Sequence, residues 1–167
     1  MVAGAGQTPF VLTGITNDPA LARTLDLAGV DRIGVDIERL GKHDRQGHVA
    51  DARISDHQLA DLAPLRAVVG QAALFARLNP FHGGSQAEID AAVAAGATVL
   101  MLPYFTAAAE VAGFVAAVDG RATTVLLLET APAVVRLHDI LAVDGVNEVM
   151  VGLNDLHLDT GVASHFE

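Results

Sequence analysis

Two carboxylates, Glu129 and Asp155, each follow a short apolar run, Thr124-Val125-Leu126-Leu127-Leu128 in the first case and Glu148-Val149-Met150-Val151-Gly152-Leu153 in the second. Acidic groups just past parallel strands lie where α/β proteins build ligand sites, because the strand ends and the loops after them form a crevice. Two such carboxylates with room for water suit one hard divalent cation, Mg²⁺ or Mn²⁺, and not a structural zinc. The competing reading is that both merely cap helix N-termini. Arg77 ends an uncharged stretch that begins at Ala67. Its planar fork could clamp a carboxylate or steady an oxyanion beside the metal, or it could serve as a structural ion pair. His43, His48 and His82 fall in polar segments where they serve either proton transfer or solvation, and no pair of histidines has zinc-binding spacing. His138 reads as an ordinary helix residue, and Gly83-Gly84 as a weak anion-binding signal.

The elements that must hold these residues read as strands and helices in alternation. Strands are expected at Phe10 to Thr16, Ile33 to Glu38, within Val68 to Leu78, at Thr98 to Leu102, at Thr124 to Leu128 and at Glu148 to Leu153. Asp18-Pro19 opens a helix with a cap and a first-turn proline, closing at Gly29. Ser55 to Gln58 and Ser85 to Glu88 have the form of capping boxes that start helices through Leu65 and up to Gly96. Val111, Phe114, Val115 and Val118 share a helical face. Thr130 and Pro132 start a further helix with Val134, Leu137 and Leu141 on one side, ending at Gly145. A strand-helix-strand unit of this kind sets Glu129 and Asp155 side by side on one rim, close enough to share a cation. The segment Arg39 to Ile54 is polar and reads as a long loop.

The cadence of one strand and one helix per roughly 25 to 30 residues is that of a (β/α) barrel or a doubly wound sheet. At 167 residues and 51% hydrophobic, the chain is expected to form one compact domain over residues 1–167. A net charge of −10, with Lys42 the single lysine, argues against nucleic acid and anionic membranes as partners. The absence of cysteine excludes thiolate chemistry and disulfides and suits a reducing cytoplasm. Met1 to Gly6 lacks the basic region of a signal peptide. Ala91 to Ala109 is uncharged, but Gly96 and Pro103 break it as a soluble protein would.

Taken together, Arg77-Leu78-Asn79, Met101-Leu102-Pro103, Leu128-Glu129-Thr130 with Ala133-Val134, and Val151-Gly152-Leu153-Asn154-Asp155-Leu156 give a chain that resembles the HpcH/HpaI aldolase and citrate lyase family from about Ile33 onward. The resemblance implies a (β/α)₈ barrel, here C-terminally incomplete with six βα units. It also implies that Glu129 and Asp155 hold one Mg²⁺ or Mn²⁺ that chelates a pyruvate-like 2-oxo acid, with Arg77 steadying the enolate and Asn154 helping to bind substrate. The expected function is that of a class II aldolase-like carbon–carbon lyase. A Claisen-type citrate-forming or citrate-cleaving relative, or an inactive metabolite-binding barrel, is the alternative. Asp36 and His43 are the remaining catalytic candidates. Family aldolases carry a histidine three residues after an acid past the second strand; Arg39 stands there in this chain. Leu127 occupies a position where a glutamine is common. The full-length form is expected to be a homo-oligomer.

Overall fold

The computed structural model describes residues 10–41 and 55–162. Six strands, β1 (Thr13–Ile15), β2 (Arg32–Asp36), β3 (Ala73–Arg77), β4 (Val99–Leu102), β5 (Thr123–Leu128) and β6 (Glu148–Val151), form one sheet in sequence order. Every pairing is parallel. Helices α1 (Pro19–Leu27), α2 (Leu62–Arg66), α3 (Ser85–Ala94), α4 (Ala108–Val118), α5 (Ala131–Val135), α6 (Leu137–Leu141) and α7 (Leu153–Thr160) fill the connections.

The strands divide the apolar residues by the two-residue period of the pleat. Leu74 and Ala76, Leu100 and Leu102, and Leu126 and Leu128 pack with Ile89, Val111 and Phe114 in a core between sheet and helices. Their neighbours along the strands, Phe75, Val99, Met101, Val125 and Leu127, make a second core on the opposite face. That second face is concave. Arg32 starts β2 and Glu148 starts β6, yet both guanidinium nitrogens meet the carboxylate at 2.6 and 2.8 Å. On a flat sheet these strands would lie about 19 Å apart, four strand spacings, beyond the reach of the two side chains. The sheet therefore curls as six strands of a (β/α)₈-type barrel curl, with the helices outside. Close approach of backbones assists the curl at Gly34, where an added Cβ would fall 1.7 Å from the Phe75 carbonyl oxygen.

Several local expectations change in the structure. The cap of the segment before α2 is not Ser55 with Gln58. The main-chain N–H of Gln58 donates instead to Asp61 (2.9 Å), and a single 3₁₀ turn, Leu59–Asp61, precedes α2. Glu88 does not close a capping box with Ser85; its carboxylate accepts from Asn79. The helix expected after Thr130 breaks at Arg136 into α5 and α6, so Val134 and Leu141 are exposed while Ala133 and Ile140 face the core. Thr130 does cap, accepting from the Ala133 N–H at 3.2 Å. The first strand spans only Thr13–Ile15, and Phe10, Val11 and Leu12 before it are exposed. Strand β6, expected to be covered on both faces, is an edge strand with Val149, Met150 and Val151 each about half exposed. The uncharged Ala91–Ala109 segment divides among α3, β4 and α4, and no helix among the described residues is long and apolar enough to cross a membrane.

Candidate metal centre

Period-two alternation carries the concave face up to the C-terminal ends of the strands, where it changes from apolar to charged. On β2 the positions facing inward after Gly34 are Asp36 and then Glu38; on β3 the position after Phe75 is Arg77; on β5 the position after Leu127 is Glu129. Asp155 arrives differently from the expected strand end. Strand β6 stops at Val151, Gly152 caps α7, and Asp155 lies in that helix's first turn, where the helix dipole favours a carboxylate. The N-cap position itself is Gly152, and Asp155 is buried at 4% exposure.

Ligand oxygens of Glu38, Glu129 and Asp155 lie within 4.8 Å of one another, and all three residues are buried. Beside them Arg77 donates through Nε and Nη2 to the two carboxylate oxygens of Asp36, and its Nε is 3.6 Å from Glu38. Burial alone would lower the Arg77 guanidinium, but the Asp36 hydrogen bond and the charges of Asp36, Glu38 and Glu129 outweigh it and raise its pKa. Glu129 is pushed up to about 8, by burial first and by the charges of Glu38 and Asp155 next, against the opposing Tyr104 N–H and Arg77. Tyr104 delivers that N–H at 2.9 Å from a left-handed conformation (φ 50°) rare for a non-glycine residue. Gly152 leaves the room Glu129 needs, since a Cβ there would meet its Oε2 at 2.7 Å and its Cβ at 2.8 Å.

The donor set fits one hard divalent cation. It offers three carboxylates and neither thiolate nor imidazole, and a bound dication would offset the crowding of like charge that raises Glu129.

The structure brings together Glu129, Asp155, Arg77 and Asp36 of the residues singled out from sequence. Asp36 is engaged by Arg77 and also accepts the Glu38 N–H (3.1 Å). Asn154 follows Gly152 on the same rim with an exposed side chain. His43 and His48 lie outside the described residues. His82 serves its own turn, its Nδ1 accepting the Gly84 N–H at 3.0 Å, which also removes that amide from any anion cradle. His138 is an exposed residue of α6. Two residues were missed. Glu38 shares a face with Asp36 by simple alternation, a signal the sequence did contain. His57, whose Nδ1 accepts the Asp36 main-chain N–H at 3.2 Å, carried no such signal.

A curled parallel sheet with an acidic cluster at the carboxyl ends of its strands defines a (β/α) barrel with its ligand site at the usual rim. The chain belongs to the HpcH/HpaI aldolase/citrate lyase family, which it matches over residues 11–167. Among solved structures it is similar to an HpcH/HpaI aldolase from Desulfitobacterium hafniense DCB-2, at 19% identity and a TM-score of 0.72, over 94% of this chain and 68% of that one. It is similar to the citrate synthase SbnG at 18% identity and a TM-score of 0.71, over 94% and 67% of the two chains. A third is the citrate lyase beta subunit of M. tuberculosis, complexed with oxaloacetate and magnesium, at 23% identity and a TM-score of 0.61, over 92% and 61%. The chain thus spans about two thirds of the length of these neighbours. No curated protein sequence matches it.

Proposed function

We propose that the rim is the active centre of a divalent-metal-dependent carbon–carbon lyase acting on a 2-oxo acid through a pyruvate-type enolate. The observation that carries this reading is the convergence of Glu38, Glu129 and Asp155 within 4.8 Å, beside a guanidinium. Glu129 and Asp155, joined by Glu38, would hold one Mg²⁺ or Mn²⁺. When bound, that ion supplies Lewis-acid polarisation of the substrate's carbonyl and a seat for its carboxylate. Membership of the aldolase/citrate lyase family and the magnesium and oxaloacetate of one structural neighbour support it.

The chain's own residues do the rest. Arg77 keeps its charge throughout, and Asp36 fixes the plane of its fork through Nε and Nη2, so Nη1 is the nitrogen that would meet the oxyanion developing as the carbon–carbon bond breaks. Tyr104 and Gly152 hold Glu129 in place, one by a hydrogen bond and the other by leaving space. The apolar inner core of Phe75, Met101 and Leu127 lies beneath the site on the same face of the sheet. Asn154, exposed next to Asp155, would contact the substrate's polar end.

An aldol lyase and a Claisen-type citrate-forming or citrate-cleaving enzyme share this enolate and differ in the acceptor. Assay of the chain with pyruvate and a panel of aldehydes, then with oxaloacetate-type acceptors, with and without Mn²⁺ or Mg²⁺, tests both. Metal-stimulated bond cleavage or formation supports the reading. Metabolite binding with no turnover under any of these conditions would replace it with a non-catalytic barrel.

A further inference from the structure

Asn79 lies two residues beyond Arg77, and every polar atom of its side chain is engaged by another part of the chain. Its Oδ1 accepts the main-chain N–H groups of Arg39 (2.8 Å) and Leu40 (3.0 Å), on the segment leaving β2. Its Nδ2 donates to Glu88 Oε2 (2.7 Å) in the first turn of α3, while its own main-chain N–H donates to Glu88 Oε1 (2.9 Å). Glu88, with its side chain 14% exposed, therefore grips one asparagine with both carboxylate oxygens. A half-buried loop asparagine satisfied by solvent would need none of these contacts. This one ties the β2 exit, the β3 exit and α3 into a single unit.

What that unit holds is the segment carrying Glu38. The Arg39 peptide N–H belongs to the peptide immediately after Glu38, so clamping it sets the backbone from which the Glu38 side chain departs. The same segment is held from another direction, because the Arg39 guanidinium donates to the His57 carbonyl (3.3 Å) and His57 Nδ1 accepts from the Asp36 N–H. We propose that Asn79, gripped by Glu88, is a positioning residue for Glu38, setting its carboxylate within reach of Glu129 and Asp155. The proposal rests on the metal-centre reading. Only an amide meets the requirement, since Oδ1 must accept from two N–H groups while Nδ2 donates to a carboxylate. An aspartate would set a second carboxylate against Glu88, and alanine would supply neither function.

The test uses the full chain, Mn²⁺ as the probe and calorimetry well below the melting temperature of each variant. Asn79→Asp should weaken Mn²⁺ binding by about tenfold or more, the usual scale for groups that orient a metal's ligands. The double variant Asn79→Asp with Glu88→Gln exchanges donor and acceptor across the same contact and should return affinity to within about threefold of wild type. Glu88→Ala, which removes only the support behind Asn79, should give a smaller loss in the same direction should Asn79→Asp not fold. In a Glu38→Gln background Asn79→Asp should cost nothing further, because the carboxylate it positions is already gone. Wild-type affinity in Asn79→Asp and Glu88→Ala, even with lowered melting temperatures, would make the clamp purely structural and overturn the proposal, as would losses from Glu38→Gln and Asn79→Asp that multiply. A wild-type chain that fails to bind Mn²⁺ overturns the metal reading and this proposal together. Binding that these variants leave intact overturns this proposal alone.

Discussion

The two ends of the curled sheet treat charge in opposite ways. At the amino-terminal end, Glu148 is matched by both terminal nitrogens of Arg32, and the Asp26 carboxylate accepts the N–H groups of Gly70, Gln71 and Ala72 at 2.7 to 3.0 Å. At the carboxyl-terminal end, Asp36, Glu38, Glu129 and Asp155 gather around Arg77, an excess of negative charge in a buried place. One end pairs its acids and ties β2 to β6. The other holds like charges together, at a cost in stability. The same face of one sheet thus supplies a strut at its base and a crowded acidic cluster at its top.

The largest effect should come from removing rim carboxylates. Glu129→Ala or Asp155→Ala is expected to weaken Mn²⁺ binding by at least about a hundredfold in calorimetry, the upper range for disturbed metal sites. The metal-free protein should lose little stability, since the cluster's repulsion is relieved. Arg32→Ala at the base should do the reverse, costing ~1–3 kcal/mol in denaturant melts while leaving Mn²⁺ affinity unchanged. Equal metal affinity in wild type and both rim variants would end the site assignment.

Arg77→Lys comes next. A lysine keeps the charge but loses the fork held by Asp36, and loss of one transition-state donor costs on the order of 3 kcal/mol, about a hundredfold in kcat. Steady-state kinetics alongside thermal melts separate the outcomes. Normal turnover with much earlier melting would class Arg77 with Arg32, as a strut.

The two ends should also respond to pH with opposite signs. Glu129 has its folded pKa raised from 4.5 to about 8, so the stability associated with its protonated form is fully present below 4.5 and is lost as pH rises through about 8. Asp26 is lowered, chiefly by the Ala72 and Gly70 N–H groups, so its contribution is present above its ordinary value of 3.8 and is lost as pH falls below it. Melting temperatures of the metal-free protein should decline on both sides, with Glu129→Gln flattening the alkaline limb and Asp26→Asn the acid one. An unchanged alkaline limb in Glu129→Gln would show that the crowding of carboxylates carries no linkage.

The smallest expected effect is that of Gly152→Ala, whose Cβ must displace the Glu129 carboxylate. The expected result is a loss of metal affinity of about tenfold with little change in folding, read by the same calorimetry. An unchanged affinity would mean that Glu129 swings aside without consequence.

Much of this arrangement was legible in the chain. Alternation along Ile33 to Glu38, Leu74 to Arg77 and Leu126 to Glu129 determined which residues face inward, because a strand's side chains change face at every residue. The carboxylates after the last two strands, the arginine after the third and the cap at Thr130 followed from local chemistry alone. The divalent cation was suggested by the two carboxylates themselves, and the family resemblance implied the enolate and the role of Arg77. Local patterns failed where a side chain had a better partner far away. Glu88 reads as the end of a capping box but is 9 residues from the asparagine it grips, and Arg136 breaks a helix whose periodicity looked continuous.

Tertiary structure alone decided which residues meet. Glu38 follows β2 and Asp155 follows β6, and Arg32 and Glu148 are 116 residues apart, so no spacing in the sequence announces either encounter. The physical reason is curl. Pleat and periodicity are local properties that residue types specify, whereas the accumulated twist that returns β6 toward β2 is a property of the whole sheet. It is this curl that turns separate acids into one buried cluster and raises Glu129, buried there beside Glu38 and Asp155, to about 8.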